Sequence, residues 1–253
     1  MKIGIIGAME EEIQLLKNDL EIISEETIGM RKYYTGKLFG RDIVLVFSRW
    51  GKVAAASTVT TLIQKFQVDL VLFTGVAGAV NSKLNIGDIV ISKKLIQHDM
   101  DVTALPGFKK FEIPLLGKCF FEVNSSLLKA GIKSANHYIN NEMKNDVSVE
   151  LLSEFRIKSP KVVVGTIASG DQFISDKSKI QNLSWEIDEL ECIEMEGAAV
   201  AQVCYEHGVN FMVFRVISDK ADEHANMDFN KFIKKAASYF TKGILKQVIT
   251  SLD

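Results

Sequence analysis

The chain predicts an α/β fold in which helices cover a mainly parallel central sheet. Short apolar runs rich in β-branched residues recur along it, and helical patterns of apolar residues lie between them. These runs are continuous rather than alternating, which is typical of strands buried on both faces. Strands that alternate with helices indicate a layered α/β fold. Because no linker-like or low-complexity segment interrupts the chain, we expect a single domain over residues 1–253.

The individual elements follow from these patterns. Strands are predicted, in chain order, at Lys2–Ile6, Asp42–Phe47, Leu70–Phe73, Asp88–Ser92, Lys161–Ile167 and Phe211–Ile217. Helices are predicted over Glu11–Leu20, Val53–Phe66 and Gly197–His207, with one long terminal helix over Phe229–Leu252. Gly208 follows the third helix as a typical C-terminal stop. The polar segment Ile132–Pro160 fits neither pattern, and we expect a surface helix and a long solvated excursion there.

Composition excludes several classes of function. Thirty Lys and Arg residues against 32 Asp and Glu give a net charge of -2 at pH 7, so no global field attracts nucleic acid or anionic lipid. No apolar run approaches the roughly 18 residues that span a bilayer. The three cysteines are widely spaced and form no Cys-x-x-Cys pair, which argues against a disulfide framework. We expect a cytoplasmic protein with neither nucleic acid nor membrane as a partner.

Two glycine motifs follow predicted strands without matching a nucleotide-binding loop. Gly4-Ile5-Ile6-Gly7 and Gly75-Val76-Ala77-Gly78 lack the Gly-x-Gly-x-x-Gly spacing, and Gly51-Lys52 is followed by valine where a P-loop needs Ser or Thr. Two interpretations remain open: plain turns after strands, or a close approach of the backbone to a flat, neutral ligand.

Metal and nucleophilic sites are disfavoured by spacing. If His98-Asp99-Met100-Asp101 lies on a strand, alternate side chains point to opposite faces, so three hard ligands cannot converge on one ion. The other histidines, His137, His207 and His224, are scattered and suggest no catalytic triad.

Three carboxylates stand in positions suited to chemistry. Glu12 lies in the first turn of the first predicted helix, where the helix dipole favours the ionised form that can act as a base. Glu196 lies between a strand and an Ala-rich helix, where burial without a partner would be costly. Asp219 ends an apolar strand, at the edge where open α/β sheets bind ligands, and an apolar surrounding would raise its pKa toward that of a general acid.

Plain structural alternatives exist for two of these carboxylates. Glu12 would complement the helix dipole, and Asp219 would be a helix N-cap. The residues alone therefore favour an α/β protein, with a two-carboxylate hydrolase as one interpretation.

A set of motifs adds a family resemblance. They are Met1–Glu12, Thr74-Gly75-Val76-Ala77-Gly78, His98–Thr103, Ser169-Gly170-Asp171-Gln172-Phe173-Ile174, Glu194-Met195-Glu196 and Arg215-Val216-Ile217-Ser218-Asp219. In this order they closely resemble the bacterial 5'-methylthioadenosine/S-adenosylhomocysteine nucleosidases of the purine nucleoside phosphorylase superfamily. The resemblance covers nearly the whole chain. It implies a three-layer sandwich around a mixed, mainly parallel central sheet, as in the nucleoside phosphorylases.

The same resemblance implies an activity and a site. It implies a homodimer without cofactor or metal that hydrolyses the N-glycosidic bond of small adenine thio-nucleosides, releasing adenine and a 5-thio-substituted ribose. By this resemblance Glu12 is the base for the attacking water, Asp219 the acid that protonates the purine N7, and Glu196 the acceptor for a ribose hydroxyl. Further substrate-binding positions are implied at Ala8, Met9, Trp50, Val76, Ala77, Gly78, Phe173, Ile174, Met195, Ser218 and Phe229, with Leu105 supplied by the partner subunit.

Departures from the family pattern concern the 5' end of the substrate and the water. Trp50 stands where the family usually has isoleucine beside the 5'-thio pocket, and Val76 stands where it usually has serine near the water. The polar stretch after Ile132 resembles an insertion.

Leu105 belongs to Val102–Pro106, which would follow a strand ending in His98–Asp101 and reach the partner.

Rival functions stay open. A purine nucleoside phosphorylase needs cationic donors for phosphate, and Glu10-Glu11-Glu12 has the wrong sign at the corresponding turn. Futalosine or AMP nucleosidase activity is a closer variant, and a non-catalytic adenosine-binding or adhesion module is the non-enzymatic alternative.

Overall fold

The computed structural model describes residues 1–221 and 225–252, so His224 lies outside the described residues. The strands are β1 (Lys2–Gly7), β2 (Glu21–Ile28), β3 (Arg31–Leu38), β4 (Arg41–Phe47), β5 (Leu70–Phe73), β6 (Val76–Ala79), β7 (Ile89–Gln97), β8 (Phe120–Glu122), β9 (Val162–Ser169), β10 (Leu190–Glu194) and β11 (Asn210–Asp219). The helices are α1 (Glu10–Asp19), α2 (Lys52–Gln64), α3 (Ser125–His137), α4 (Met143–Asp146), α5 (Val149–Glu154), α6 (Lys177–Glu186), α7 (Gly197–His207), α8 (Ala225–Lys235) and α9 (Ala237–Ser251), with a π-helical turn over Tyr138–Glu142.

The strands form one mixed sheet in the order β2-β3-β4-β1-β5-β11-β6-β10-β9-β7-β8. Strand β1 pairs parallel with β4 and β5, and β5 pairs parallel with the start of β11. Strand β11 then pairs with both β7 and β6, so β11, β6, β10, β9 and β7 close into a ring. Helices lie on both faces: α2 packs against α7, while α1 and α3 pack against α9. The predicted fold class is confirmed.

All six predicted strands and the first three predicted helices are present, with bounds that differ by a few residues. Helix α7 spans the predicted residues, and Gly208 ends it in the left-handed conformation at φ 65°. Strands β1, β5 and β11 are almost wholly buried, as their continuous apolar runs predict.

The prediction of a single long terminal helix was wrong. The chain forms α8 and α9, with Ala236 between them at φ -122°. Apolar residues recur at every fourth position across the break, so their spacing does not reveal it. The bend brings the rings of Phe232 and Phe240 to 5.9 Å between centroids, and both side chains are fully buried.

The solvated excursion predicted within Ile132–Pro160 was also wrong. Helix α3 continues into the π-helical turn and α4, and α5 follows as a separate short helix. Apolar residues spaced among the polar ones are buried there: Tyr138, Met143, Val147, Phe155 and Ile157. The Tyr138 ring packs so closely on α9 that a Cβ on Gly243 would lie 1.9 Å from it. These apolar residues therefore belong to the core, while most of the polar residues of the segment are exposed.

Further features differ from the sequence prediction, which also lacked β6, β8, β10 and α6. The antiparallel hairpin of β2 and β3 was missed because β2 is an exposed, Glu-rich edge strand without an apolar pattern. His98–Asp101 is not a strand, because β7 ends at Gln97 and the chain turns there.

The cysteines Cys119, Cys192 and Cys204 are all free thiols. Within residues 1–221 and 225–252, no helix is both long enough and apolar enough to cross a membrane.

Candidate active site

A cavity of about 480 Å³ opens where the ends of β1 and β11 meet β6 and β10. Every implied substrate position except Leu105 lines it: Ala8, Met9, Glu12, Trp50, Val76, Ala77, Gly78, Phe173, Ile174, Met195, Glu196, Ser218, Asp219 and Phe229. Other lining residues had no assigned role: Gln172, Ser175, Ile193, Glu194, Asn226 and Asn230. The topology thus gathers three carboxylates from distant parts of the chain.

Glu12 is held by backbone N–H groups at the base of α1. Its Oε2 accepts from the N–H groups of Ala8 at 2.6 Å and Met9 at 3.0 Å, and its Oε1 accepts from Val76 at 3.0 Å. A Cβ on Gly75 would lie 2.6 Å from Oε1, so only glycine leaves room for the carboxylate. The side chain therefore has one fixed position.

The helix terminus is not the main influence on the Glu12 carboxyl group. Burial raises the pKa of this carboxyl, and this effect exceeds the opposing influence of the Arg215 charge and the three N–H groups. A general base works best when its pKa lies close to the working pH.

Asp219 is the last residue of β11 and is almost fully buried. Ser218 Oγ donates to its Oδ2 at 2.7 Å, and the Ala221 N–H donates to its Oδ1 at 2.8 Å. The register between β11 and β6 shifts just before it, as bulges that redirect a side chain do. The N-cap alternative does not hold, because α8 begins only at Ala225.

Glu196 lies at the N-cap of α7 and is 5% exposed. Its side chain does not cap the helix but accepts the Gly51 N–H at 2.7 Å, which is the partner that burial requires. Burial and the nearby negative charge of Glu194 raise the pKa of Glu196 to about 8.

A buried ion pair beneath the cavity escaped the sequence prediction. Arg215 is 1% exposed, and its Nη2 and Nε lie 2.5 Å and 3.2 Å from Glu194 Oε2. Its guanidinium also lies over the Phe73 ring, 4.1 Å from the centroid. The available signal was an arginine within an apolar strand, since a buried charge needs a partner.

Aromatic side chains form one wall of the cavity. The Phe229 ring meets Trp50 edge-on at 6.4 Å and Phe173 at 5.7 Å between centroids. Trp50 is 59% exposed and Phe173 is 49% exposed, so this wall is open to the outside. Leu105 is also exposed and does not line the cavity of its own chain.

The turn after β7 is held in place by contacts of the Asp99 side chain. Asp99 forms an ion pair with Lys52 at 2.6 Å and accepts the Asp171 N–H at 2.9 Å. In the part of the chain that the structure describes, no three His, Cys, Asp or Glu side chains cluster in a way that could hold a metal ion.

Fold and cavity define a nucleoside-processing class. The model of the phosphorylase superfamily matches residues 2–250, and the chain belongs to that superfamily. Within it, the chain belongs to the 5'-methylthioadenosine/S-adenosylhomocysteine nucleosidase family. The nucleosidase of a Geobacillus species is 36% identical over 253 residues, which is 100% of both chains.

Solved structures of related proteins have the same fold as this chain. That of the Neisseria meningitidis nucleosidase in complex with methylthio-immucillin-A matches with a TM-score of 0.86 at 31% identity and covers 99% of each chain. Futalosine hydrolase of Helicobacter pylori matches with a TM-score of 0.84 at 35% identity, covering 100% of this chain and 98% of that one.

Proposed function

We propose that this enzyme hydrolyses the N-glycosidic bond of 5'-methylthioadenosine and S-adenosylhomocysteine, releasing adenine and the 5-thio-substituted ribose. The observation that carries this proposal is the convergence of three buried carboxyl groups, Glu12, Glu196 and Asp219, on one cavity with an aromatic wall. Departure of adenine leaves an oxocarbenium-like ribosyl cation. Carboxylates fixed around it stabilise charge that develops only in the transition state.

Two carboxyl groups divide the proton transfers. Glu12 takes a proton from the attacking water, and its raised pKa makes it a stronger base than an ordinary carboxylate. Asp219 donates a proton to N7 of the purine, so that adenine leaves as a neutral base. An acid and a base on opposite sides of the bond give direct displacement by water.

The remaining groups orient the substrate. Glu196 accepts a hydrogen bond from a ribose hydroxyl, and this bond is strongest once Glu196 ionises above pH about 8. Met195 packs on the sugar. Phe173 stacks on the adenine beside the Ile174 backbone. Trp50 and Phe229 border the 5' substituent, and their aromatic surfaces suit a thioether sulfur.

Charge favours water over phosphate as the nucleophile. Among the described residues that line the cavity there is no Lys or Arg. The nearby guanidinium of Arg215 is already engaged by Glu194. A phosphorylase site would need such donors free to bind a phosphate dianion.

Futalosine is a second candidate substrate, favoured by the similarity to the Helicobacter pylori hydrolase. The open aromatic wall leaves space beside the 5' position for a larger substituent.

The active unit is a homodimer in this proposal. Leu105 is 56% exposed, and its N–H bonds to the Val102 carbonyl at 2.9 Å in an outward turn. Burial against the partner would remove this apolar surface from water and close the 5' end of the partner's cavity. Three free thiols suit a reducing compartment, so we place the enzyme in the cytoplasm.

Adenine release tests this proposal. The enzyme is incubated in phosphate-free buffer with methylthioadenosine, S-adenosylhomocysteine, 5'-deoxyadenosine, futalosine and inosine, and free base is measured by chromatography. We expect release from the two thio-nucleosides and none from inosine. Binding without turnover of any nucleoside would favour an adenosine-binding module instead.

A further inference from the structure

The N-terminus of α7 is capped by side chains from outside the helix. In three other helices of this chain the N-cap side chain itself accepts a backbone N–H of the first turn: Asn124 in α3, Ser148 in α5 and Asp176 in α6. In α7 the N-cap residue is Glu196, and its side chain accepts none of them. Its carboxylate faces the cavity and bonds to Gly51 instead.

Side chains from outside the helix satisfy the first-turn donors of α7. Ser169 Oγ at the end of β9 accepts the Ala198 N–H at 2.7 Å. Both carboxylate oxygens of Glu194 accept the Gly197 N–H at 2.9 Å, and its Oε2 also accepts the Glu196 N–H at 3.2 Å. The orphan donors of a helix start are thereby paired without the N-cap side chain.

These two side chains are themselves fixed. Ser169 Oγ donates to Glu194 Oε1, which leaves the serine oxygen free to accept from α7. Glu194 is anchored by Arg215, the only buried Lys or Arg side chain within residues 1–221 and 225–252. Ser169, Glu194 and Arg215 thus form one connected buried network.

We propose that Ser169 and Glu194 are positioning residues that substitute for the N-cap side chain of α7 and so keep the Glu196 carboxylate free for substrate. A carboxyl oxygen at an N-cap can accept from any unpaired N–H group, and the helix dipole adds to this attraction once the group is ionised. If Ser169 were absent, the Ala198 N–H would be the nearest such donor. Glu196 would then turn back onto its own helix and leave the cavity. This inference rests on the proposed role of Glu196 toward the ribose.

Ser169→Ala is the decisive variant, because it removes one hydroxyl and no charge. Its matched control is Thr166→Val on the same strand, which removes a fully buried hydroxyl that donates to the Asp188 carbonyl at 2.7 Å, away from α7. A crystal structure of Ser169→Ala is expected to place Glu196 Oε within hydrogen-bond distance of Ala198 N and away from Gly51 N. Retention of the Gly51 contact would overturn the inference, whatever the enzyme's activity.

Binding supplies a second readout. Calorimetry with methylthioadenosine and its 2'-deoxy and 3'-deoxy analogues is run in a Glu12→Gln background, so that no substrate is consumed. Ser169→Ala should reduce the preference for the ribonucleoside about tenfold, the equivalent of one hydrogen bond, while Thr166→Val leaves it unchanged. An equal loss in both variants would reduce Ser169 to a structural role. Absence of adenine release by the wild-type enzyme would refute the proposed function and leave this binding comparison intact.

Glu194→Gln checks the second member of the network. The amide keeps an oxygen for the Gly197 N–H but loses the ion pair with Arg215. We expect KM for methylthioadenosine to rise more than kcat falls, because the substitution acts directly on the position of Glu196 and on Glu12 only through the charge of Arg215. A fall in kcat alone would contradict the assignment.

Discussion

Replacing Glu12 by glutamine separates catalysis from stability. Catalysis by a general base contributes roughly 10²- to 10⁴-fold, which corresponds to about 2.7–5.4 kcal/mol of activation free energy at 1.36 kcal/mol per factor of ten. We expect kcat for methylthioadenosine to fall by that factor while binding of adenine nucleosides persists. Glu10→Gln is the matched control, because Glu10 is an exposed carboxylate in the same helical turn.

The same substitution also changes the free energy of unfolding, and this change depends on pH. Both oxygens of Glu12 accept N–H groups, and glutamine has only one acceptor oxygen, so one buried donor loses its partner at a cost of about 1–3 kcal/mol. Against this, the folded-state pKa of Glu12 is raised above its ordinary 4.5. The native state therefore loses stability as pH rises from that value through the raised pKa. Glutamine removes this loss.

Thermal unfolding at pH 5 and pH 8 measures the balance. The stability of Glu12→Gln relative to wild type should be greater at pH 8 than at pH 5. A relative stability that falls with rising pH would mean that Glu12 serves mainly to complement the helix dipole. Wild-type kcat in the variant would refute its assignment as the base.

Three further predictions concern the other site residues. Asp219→Asn should lower kcat by roughly 10²- to 10⁴-fold with the fold intact, since an amide N–H is too weakly acidic to transfer its proton to N7. A steady-state assay with circular dichroism checks both, and a near wild-type rate would reject the role. Glu196→Gln should weaken discrimination against 2'-deoxy and 3'-deoxy substrates. In the wild-type enzyme that discrimination should increase as pH rises through about 8, where Glu196 ionises. A selectivity that does not change with pH would contradict this role of Glu196. Leu105→Asp should shift sedimentation toward monomer and raise KM for methylthioadenosine more than for adenosine; a variant that stays dimeric with unchanged selectivity would show that the interface lies elsewhere.

Much of the fold follows from local pattern. Buried parallel strands such as β5 have continuous apolar sequences, and Gly208 marks the end of α7, because each of these signals lies within a few residues. The exposed strand β2 carries no such signal, and its pairing with β3 depends on a partner elsewhere in the chain. The break at Ala236 likewise depends on how two helices pack on different neighbours.

The candidate site was likewise predicted only in part from the sequence. Its carboxylates could be named from the sequence because they lie beside apolar segments and match a family pattern. Their protonation could not be derived, since the pKa of Glu12 depends on burial by residues far away in the sequence. The pairing of Glu194 with Arg215 was missed for the same reason, because the two residues lie 21 positions apart on separate strands.

The identity of the sugar product tests the central claim most directly. The enzyme is incubated with methylthioadenosine in phosphate buffer, and the products are identified by mass spectrometry. Hydrolysis predicts adenine and free 5-methylthioribose in equal amounts, at the same rate as without phosphate. Formation of 5-methylthioribose 1-phosphate, or a rate that depends on phosphate, would contradict it.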